Sequence, residues 1–201
     1  MAINLQKGQK VNLKKNSTSG LGEILVNLNW NSVPVKQGFF ERLFGDNSGI
    51  DLDLGCLFEL KDGRKGAVQA LGNSFGSLKE VPYISLDGDD RTGASTDGEN
   101  LRINGNQISK FKRILVYTFI YEGVANWQQA DAIVTIKYPG AEDIVVKMDS
   151  FNSSEKMCGL ALLENVNDET FSVEKIVRFY PGHKDLDRAF QWGLNWVAGK
   201  K

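Results

Sequence analysis

Apolar and polar residues alternate along most of this chain. From Glu23 the run EILVNLNW sets Ile24, Val26, Leu28 and Trp30 on one face, and IDLDLGCLFEL (50–60) sets Ile50, Leu52, Leu54, Cys56, Phe58 and Leu60 on one face. A period of two predicts strands buried on one side. RILVYTFIYEG (113–123) is apolar for longer and rich in β-branched and aromatic residues, which predicts a central strand covered on both faces. AIVTIKY and DIVVKMD flank Pro139-Gly140-Ala141-Glu142, and CGLALLE and FSVEKIVRFY flank Asn165-Val166-Asn167-Asp168-Glu169, so each pair predicts a hairpin. Helical spacing is clear only near the end, where Leu186, Ala189, Phe190, Gly193, Leu194 and Val197 follow Asp185, the expected N-cap.

Many strands, regular turns and one late helix predict an all-β chain, a β-sandwich with a short C-terminal helix. No internal repeat or low-complexity linker divides residues 1–201, which read as one domain. The oddity is VPVKQGFFERLFGDNSG (33–49), a loop insertion carrying Phe39, Phe40, Leu43 and Phe44. It either folds onto the sandwich as a flap or presents its aromatics to a partner.

Composition narrows the function. With 201 residues, 41% of them hydrophobic, the chain can bury a substantial core. Its 24 Lys and Arg against 25 Asp and Glu leave a net charge of -1, with no basic block, so nucleic acid is not an expected partner. The start, MAINLQKGQKVNLKK, lacks the apolar run of a signal peptide, and no stretch is long enough to span a membrane, so a cytoplasmic location is expected. Cys56 and Cys158 lie far apart without metal-ligand spacing and read as small buried thiols.

The negative charge is concentrated. Within LDGDDRTGASTDGENLRI (86–103), residues 87–100 hold Asp87, Asp89, Asp90, Asp97 and Glu99 against Arg91, a net of -4, and Asp51 and Asp53 add two more, leaving +5 elsewhere. Clustered carboxylates raise one another's pKa and destabilise a fold unless a cation sits among them. Calcium accepts six to eight oxygens in an irregular cage, whereas magnesium demands a stricter octahedron and zinc prefers nitrogen or sulfur. Gly88, Gly93 and Gly98 let the backbone turn and offer carbonyls. Asp51 and Asp53, two apart on a strand, project from one face as a pair. A solvated acidic face beside Lys or Arg would explain the DxD pair alone; loop and pair together point to calcium.

Sharper motifs fail. An EF-hand begun at Asp87 would put Thr92 where glycine belongs and Gly98 where the bidentate Glu belongs. A haloacid-dehalogenase-type DxDx[TV] nucleophile would have Thr or Val where Gly55 stands, and no βαβ alternation follows. The only histidine, His183, sits in the turn YPGHKD, where a role in approaching the helix or facing solvent is expected over catalysis. No serine occupies a nucleophile elbow, and Gly20-Leu21-Gly22 lacks the rest of a dinucleotide fingerprint. No enzyme is expected.

In order, MAINLQKGQKVNL, the strand ending Leu28-Asn29-Trp30, IDLDLGCLFEL and GDDRTGASTDGENLRI resemble the TerD-type family of tellurium-resistance and stress-response proteins, nearest its TerA-like branch. IYEGVANWQQADAIVTI and, more loosely, QALGNSFGSL continue the likeness, which fades in 33–49 and after about 180. The resemblance implies a β-sandwich holding two calcium ions in adjacent sites. It carries ligand roles onto Asp51, Asp53, Asp89, Asp90, Asp97 and Glu99, and adds Glu122 and Asn73. Asp90 stands where the family has Asn, Gly55 departs from the usual strand, and Ala94-Ser95-Thr96 is less acidic than usual. The implied partners are other stress-response and tellurium-resistance proteins, in assemblies at the inner face of the membrane, with peripheral membrane association as an accompanying expectation. Two functions follow: a calcium-binding, non-catalytic interaction module, or a calcium-dependent recognition module that binds phospholipid headgroups or a small phosphate or sugar ligand through an open ion site.

Overall fold

Alternation along the chain becomes layering in space. The computed structural model describes residues 2–14, 20–30, 50–87, 98–122, 127–148 and 154–197. The aromatic insertion at 33–49 lies outside them. The strands are β1 (Ile3–Asn4), β2 (Lys10–Asn12), β3 (Glu23–Asn29), β4 (Asp51–Leu60), β5 (Lys65–Gln69), β6 (Gly76–Ser77) and β7 (Ile84–Leu86). They continue with β8 (Glu99–Asn104), β9 (Phe111–Glu122), β10 (Ile133–Lys137), β11 (Ile144–Lys147), β12 (Met157–Val166) and β13 (Thr170–Tyr180). Helices α1 (Trp127–Ala130) and α2 (His183–Phe190) and a 3-10 turn at Gly105–Lys110 complete the described elements.

One sheet runs β1-β11-β10-β3-β8-β7-β6 and the other β2-β13-β12-β9-β4-β5. The expected β-sandwich with a short C-terminal helix is the observed architecture. Ile24, Val26 and Leu28 from the first sheet and Leu52, Leu54, Cys56, Ile114 and Val116 from the second are fully buried in the shared core. Each such side chain contributes about 1.5–3 kcal/mol by leaving water. Both hairpins form as predicted, β10–β11 and β12–β13, the second turning through Asn167 and Asp168 at φ 55° and 62°. Asn and Asp tolerate that left-handed region better than most residues.

The long apolar run has two faces to fill. On β9, Ile114, Val116 and Ile120 join the shared core, while Leu115, Tyr117 and Phe119 build a smaller one on the outer face with Leu57, Met157, Leu186 and Trp192. Cys56 and Cys158 are free, buried thiols, as expected. Burial pushes the Cys56 thiol up to about 12, which leaves it inert as a nucleophile.

The C-terminal expectation needs correction. The helix ends at Phe190, Gln191 turns left-handed at φ 54° and ψ 47°, and residues 192–197 form a non-helical strap. Asp185 is not the cap: the N-cap is Gly182, without a side-chain bond, and Asp185 lies in the first turn. The reason is Asp187, whose carboxylate accepts from the backbone N–H of Gly193 at 2.8 Å, that of Leu194 at 2.9 Å and Trp196 Nε1 at 3.0 Å. Apolar spacing that suits a helix serves an irregular strap instead. Trp192 is buried with Nε1 donating to the Phe58 carbonyl, whereas Val197 is 86% exposed. Among the described residues no helix is long and apolar enough to cross a membrane.

Candidate metal site at the end of the sandwich

β4 delivers Asp51 and Asp53 to one end of the second sheet. Asp51 stands opposite Glu122 and Asp53 opposite Phe119, with a register shift between Asp51 and Leu52. Asp53 alternates with the core residues Leu52 and Leu54, so it leaves on the face that carries Tyr117. The Tyr117 hydroxyl is pushed well above its ordinary value, chiefly by burial, with Cys56 and Asp53 adding to the effect. Asp53 is fully buried and Asp51 partly so.

Glu99 reaches the same end from the first sheet. It opens β8 opposite Leu28, is 3% exposed, and accepts the backbone N–H of Leu54 on Oε2 at 2.5 Å. The β4–β5 ladder stops at Gly55 and Gln69, so this carboxylate takes a strand donor one residue beyond the last pair. A charge-assisted bond of this kind ties the two sheets together beside Asp53. Trp30 Nε1 adds a second tie, donating to the Ile50 carbonyl at 2.9 Å.

The acidic loop springs from this end. Its base is closed by Asp87 N–H donating to the Asn100 carbonyl at 2.9 Å. At Gly98, φ is +63° and a Cβ would stand 2.1 Å from the Leu28 carbonyl oxygen, so only glycine fits.

The predicted ligands separate into groups. Asp51, Asp53 and Glu99 come to one end, joined by the backbone of Glu122. Asp87 projects instead from the opposite face of its strand to buried Leu86, and Arg102 grips it, with Nε to Oδ1 at 3.1 Å and Nη2 to Oδ2 at 3.0 Å. Arg102 also holds Glu23 at 2.7 Å, and these bonds raise its pKa further. Asn73 is exposed at φ 56° in the turn after β5. Asp89, Asp90 and Asp97 lie outside the described residues. Among the described residues no group of three or more His, Cys, Asp or Glu is arranged to hold a metal ion. The acids placed at this end offer oxygen donors only, the chemistry that suits a hard cation.

Sequence reasoning missed a polar cluster on the outer face. Gln69 Oε1 accepts from the Tyr117 hydroxyl at 2.5 Å and lies 2.9 Å from His183 Nε2. His183 opens α2, wedged against Tyr117 and Phe119 with ring centroids 5.6 and 5.0 Å away. Gly55 makes room, since a Cβ there would stand 2.7 Å from the Tyr117 ring. Tyr117 was concealed in an apolar run, and nothing local distinguishes Gln69; only the departure at Gly55 hinted at a close approach.

The TerD domain family matches residues 1–140. The chain belongs to that family. Tellurium resistance protein TerA of Alcaligenes sp is 42% identical over 183 residues, covering 91% of this chain and 54% of TerA, which places the chain in the TerA-like branch. Stress response protein SCP2 of Bacillus subtilis (strain 168) is 32% identical over 132 residues, 64% of this chain and 65% of that protein. The chain thus spans between about half and two thirds of these relatives. Among solved structures, a homologue of telluride resistance protein (TerD) from Streptomyces coelicolor A3(2) superposes with a TM-score of 0.57 at 18% identity, covering 84% of this chain and 95% of that one. That likeness supports the TerD sandwich as a fold.

Proposed function

We propose that this chain is a calcium-binding, non-catalytic interaction module of the tellurium-resistance and stress-response type, working in the cytoplasm with other proteins of that class. What supports the reading is the placement of Asp51, Asp53 and Glu99 at the end of the sandwich from which the acidic loop leaves. Those three would contribute ligands, with Asp89, Asp90 and Asp97 completing the oxygen shell. Bound calcium supplies positive charge among carboxylates that otherwise repel one another. The chain's part is positional: Glu99 is fixed by Leu54 N–H, Asp53 by its strand, and Gly98 sets the exit of the loop. Family membership, and relatives named for tellurium resistance and stress response, support the biological setting.

Asp53→Asn and Glu99→Gln test the assignment by thermal melting. At a roughly hundredfold excess over Kd, calcium adds about 2.7 kcal/mol to the native state. For a domain of this size that is a rise of about 5–11 °C. Each variant is expected to lose most of that rise while still melting cooperatively. An undiminished rise in both would show that the ligands lie elsewhere.

A further inference from the structure

The outer face of the second sheet carries a second feature, built partly outside the TerD-matched residues 1–140. Helix α2 and the strap that follows it stand against the β5 edge and enclose a groove of about 870 Å³. Such a volume lies within the usual range for small-molecule sites. Ala67 and Gln69 line its β5 side, Leu71 and Trp196 give it apolar walls, and His183 and Lys184 complete it from α2.

The polar groups here are oriented. Gln69 Nε2 donates to the Leu71 carbonyl at 3.1 Å, so its Oε1 faces both the Tyr117 hydroxyl and His183 Nε2, and both must donate. That fixes the imidazole with its proton on Nε2 and leaves Nδ1 as an acceptor. Burial lowers the His183 pKa to about 4, so the ring is neutral at pH 7. Trp196 packs on the imidazole at 4.9 Å between centroids, and Asp187 holds its indole N–H at 3.0 Å, so this wall too is preset.

Charge decides the ligand class. Among the described residues three charged side chains line the groove, Lys65, Lys184 and Asp185. Lys65 Nζ donates to the Trp192 carbonyl at 3.0 Å and lies 3.6 Å from Glu59, and Asp185 faces Arg188 at 3.5 Å. Lys184 has no such partner among the described residues, so its ammonium is available to an anion.

We propose that this groove binds a small aromatic acid, with its ring against Trp196 and Leu71, its anionic group at Lys184 and a hydroxyl or ring N–H donated to His183 Nδ1. Because His183 is the only histidine, its Cε1–Hε1 resonance reports on the groove without ambiguity. Titrating the full chain with 4-hydroxybenzoate should shift that resonance saturably. The uncharged isostere 4-hydroxybenzamide should bind about tenfold more weakly or worse, and Lys184→Glu, a change at an exposed side chain, should weaken the acid by at least about tenfold without moving the melting midpoint. A resonance that stays fixed up to about 10 mM acid in folded protein would overturn the proposal. Equal affinity for acid and amide, or no effect of Lys184→Glu, would overturn it equally.

Discussion

Glu59 shows how this chain keeps a buried carboxylate ionised. It is 5% exposed, and burial alone would raise its pKa, yet Lys112 at 2.9 Å and Arg113 at 2.6 Å outweigh burial and bring it below the ordinary value. A depressed acid contributes stability above its unfolded pKa, near 4.3, and loses it as pH falls through the folded value. Glu59→Gln should therefore destabilise the chain at pH 7 by about 1–3 kcal/mol, with the gap to wild type closing below about pH 4. Urea unfolding of both proteins across that range checks it; a gap independent of pH would contradict the ionised pair. His183 loses stability in the same direction but over a higher pH range, and for a different reason, since burial alone lowers its pKa. Its folded pKa of about 4 lies under the unfolded value near 6.5, so folded protein takes up its proton late and stability declines as pH falls from about 6.5 towards 4. NMR titration of the single imidazole should give a midpoint near 4, and one near 6.5 would show that the ring is solvated.

The strap is held as an element by a few side chains. Asp187 binds three of its donors, Arg113 Nη1 donates to the Phe190 carbonyl at 3.0 Å, and the Arg113 guanidinium sits 3.9 Å over the Trp192 ring. Asp187→Ala leaves those donors without their acceptor and should lower stability by about 1–3 kcal/mol. Hydrogen exchange should then rise first in 191–197 while β9 stays protected; uniform loss of protection would mean that the strap is not a separate unit. The strands and hairpins were readable because period-two alternation and turn residues are local signals. β9 was readable for the same reason, its unbroken apolar run needing cover on both faces. The strap was not, because Leu194 and Val197 repeat at helical spacing while Asp187 bonds back across the break, and no local pattern encodes that bond. In the site, the DxD pair and Glu99 were legible as charge held against an apolar pattern. The departure of Asp87 to Arg102 was not, because the pairing depends on β7 lying beside β8.

At the scale of the whole molecule, two sheets share one core, and Glu99 crosses between them at the acidic end. Calcium binding there should join the sheets more firmly. Ligating carboxylates must be ionised, so their bound-state pKa values are expected below the unfolded value, and the ion's stabilising effect should be full near pH 7 and fade as pH falls below about 4. A lysine and arginine network serving the same acids would respond to ionic strength without preferring calcium to magnesium. Calorimetric titration of chelator-treated protein with calcium, at pH 7 and fixed ionic strength, therefore tests the central claim most directly. The account predicts saturable binding of at least one ion per chain, with magnesium competing poorly. Absence of binding heat at millimolar calcium, with the protein's melting curve unchanged by calcium, magnesium or chelator, would contradict it.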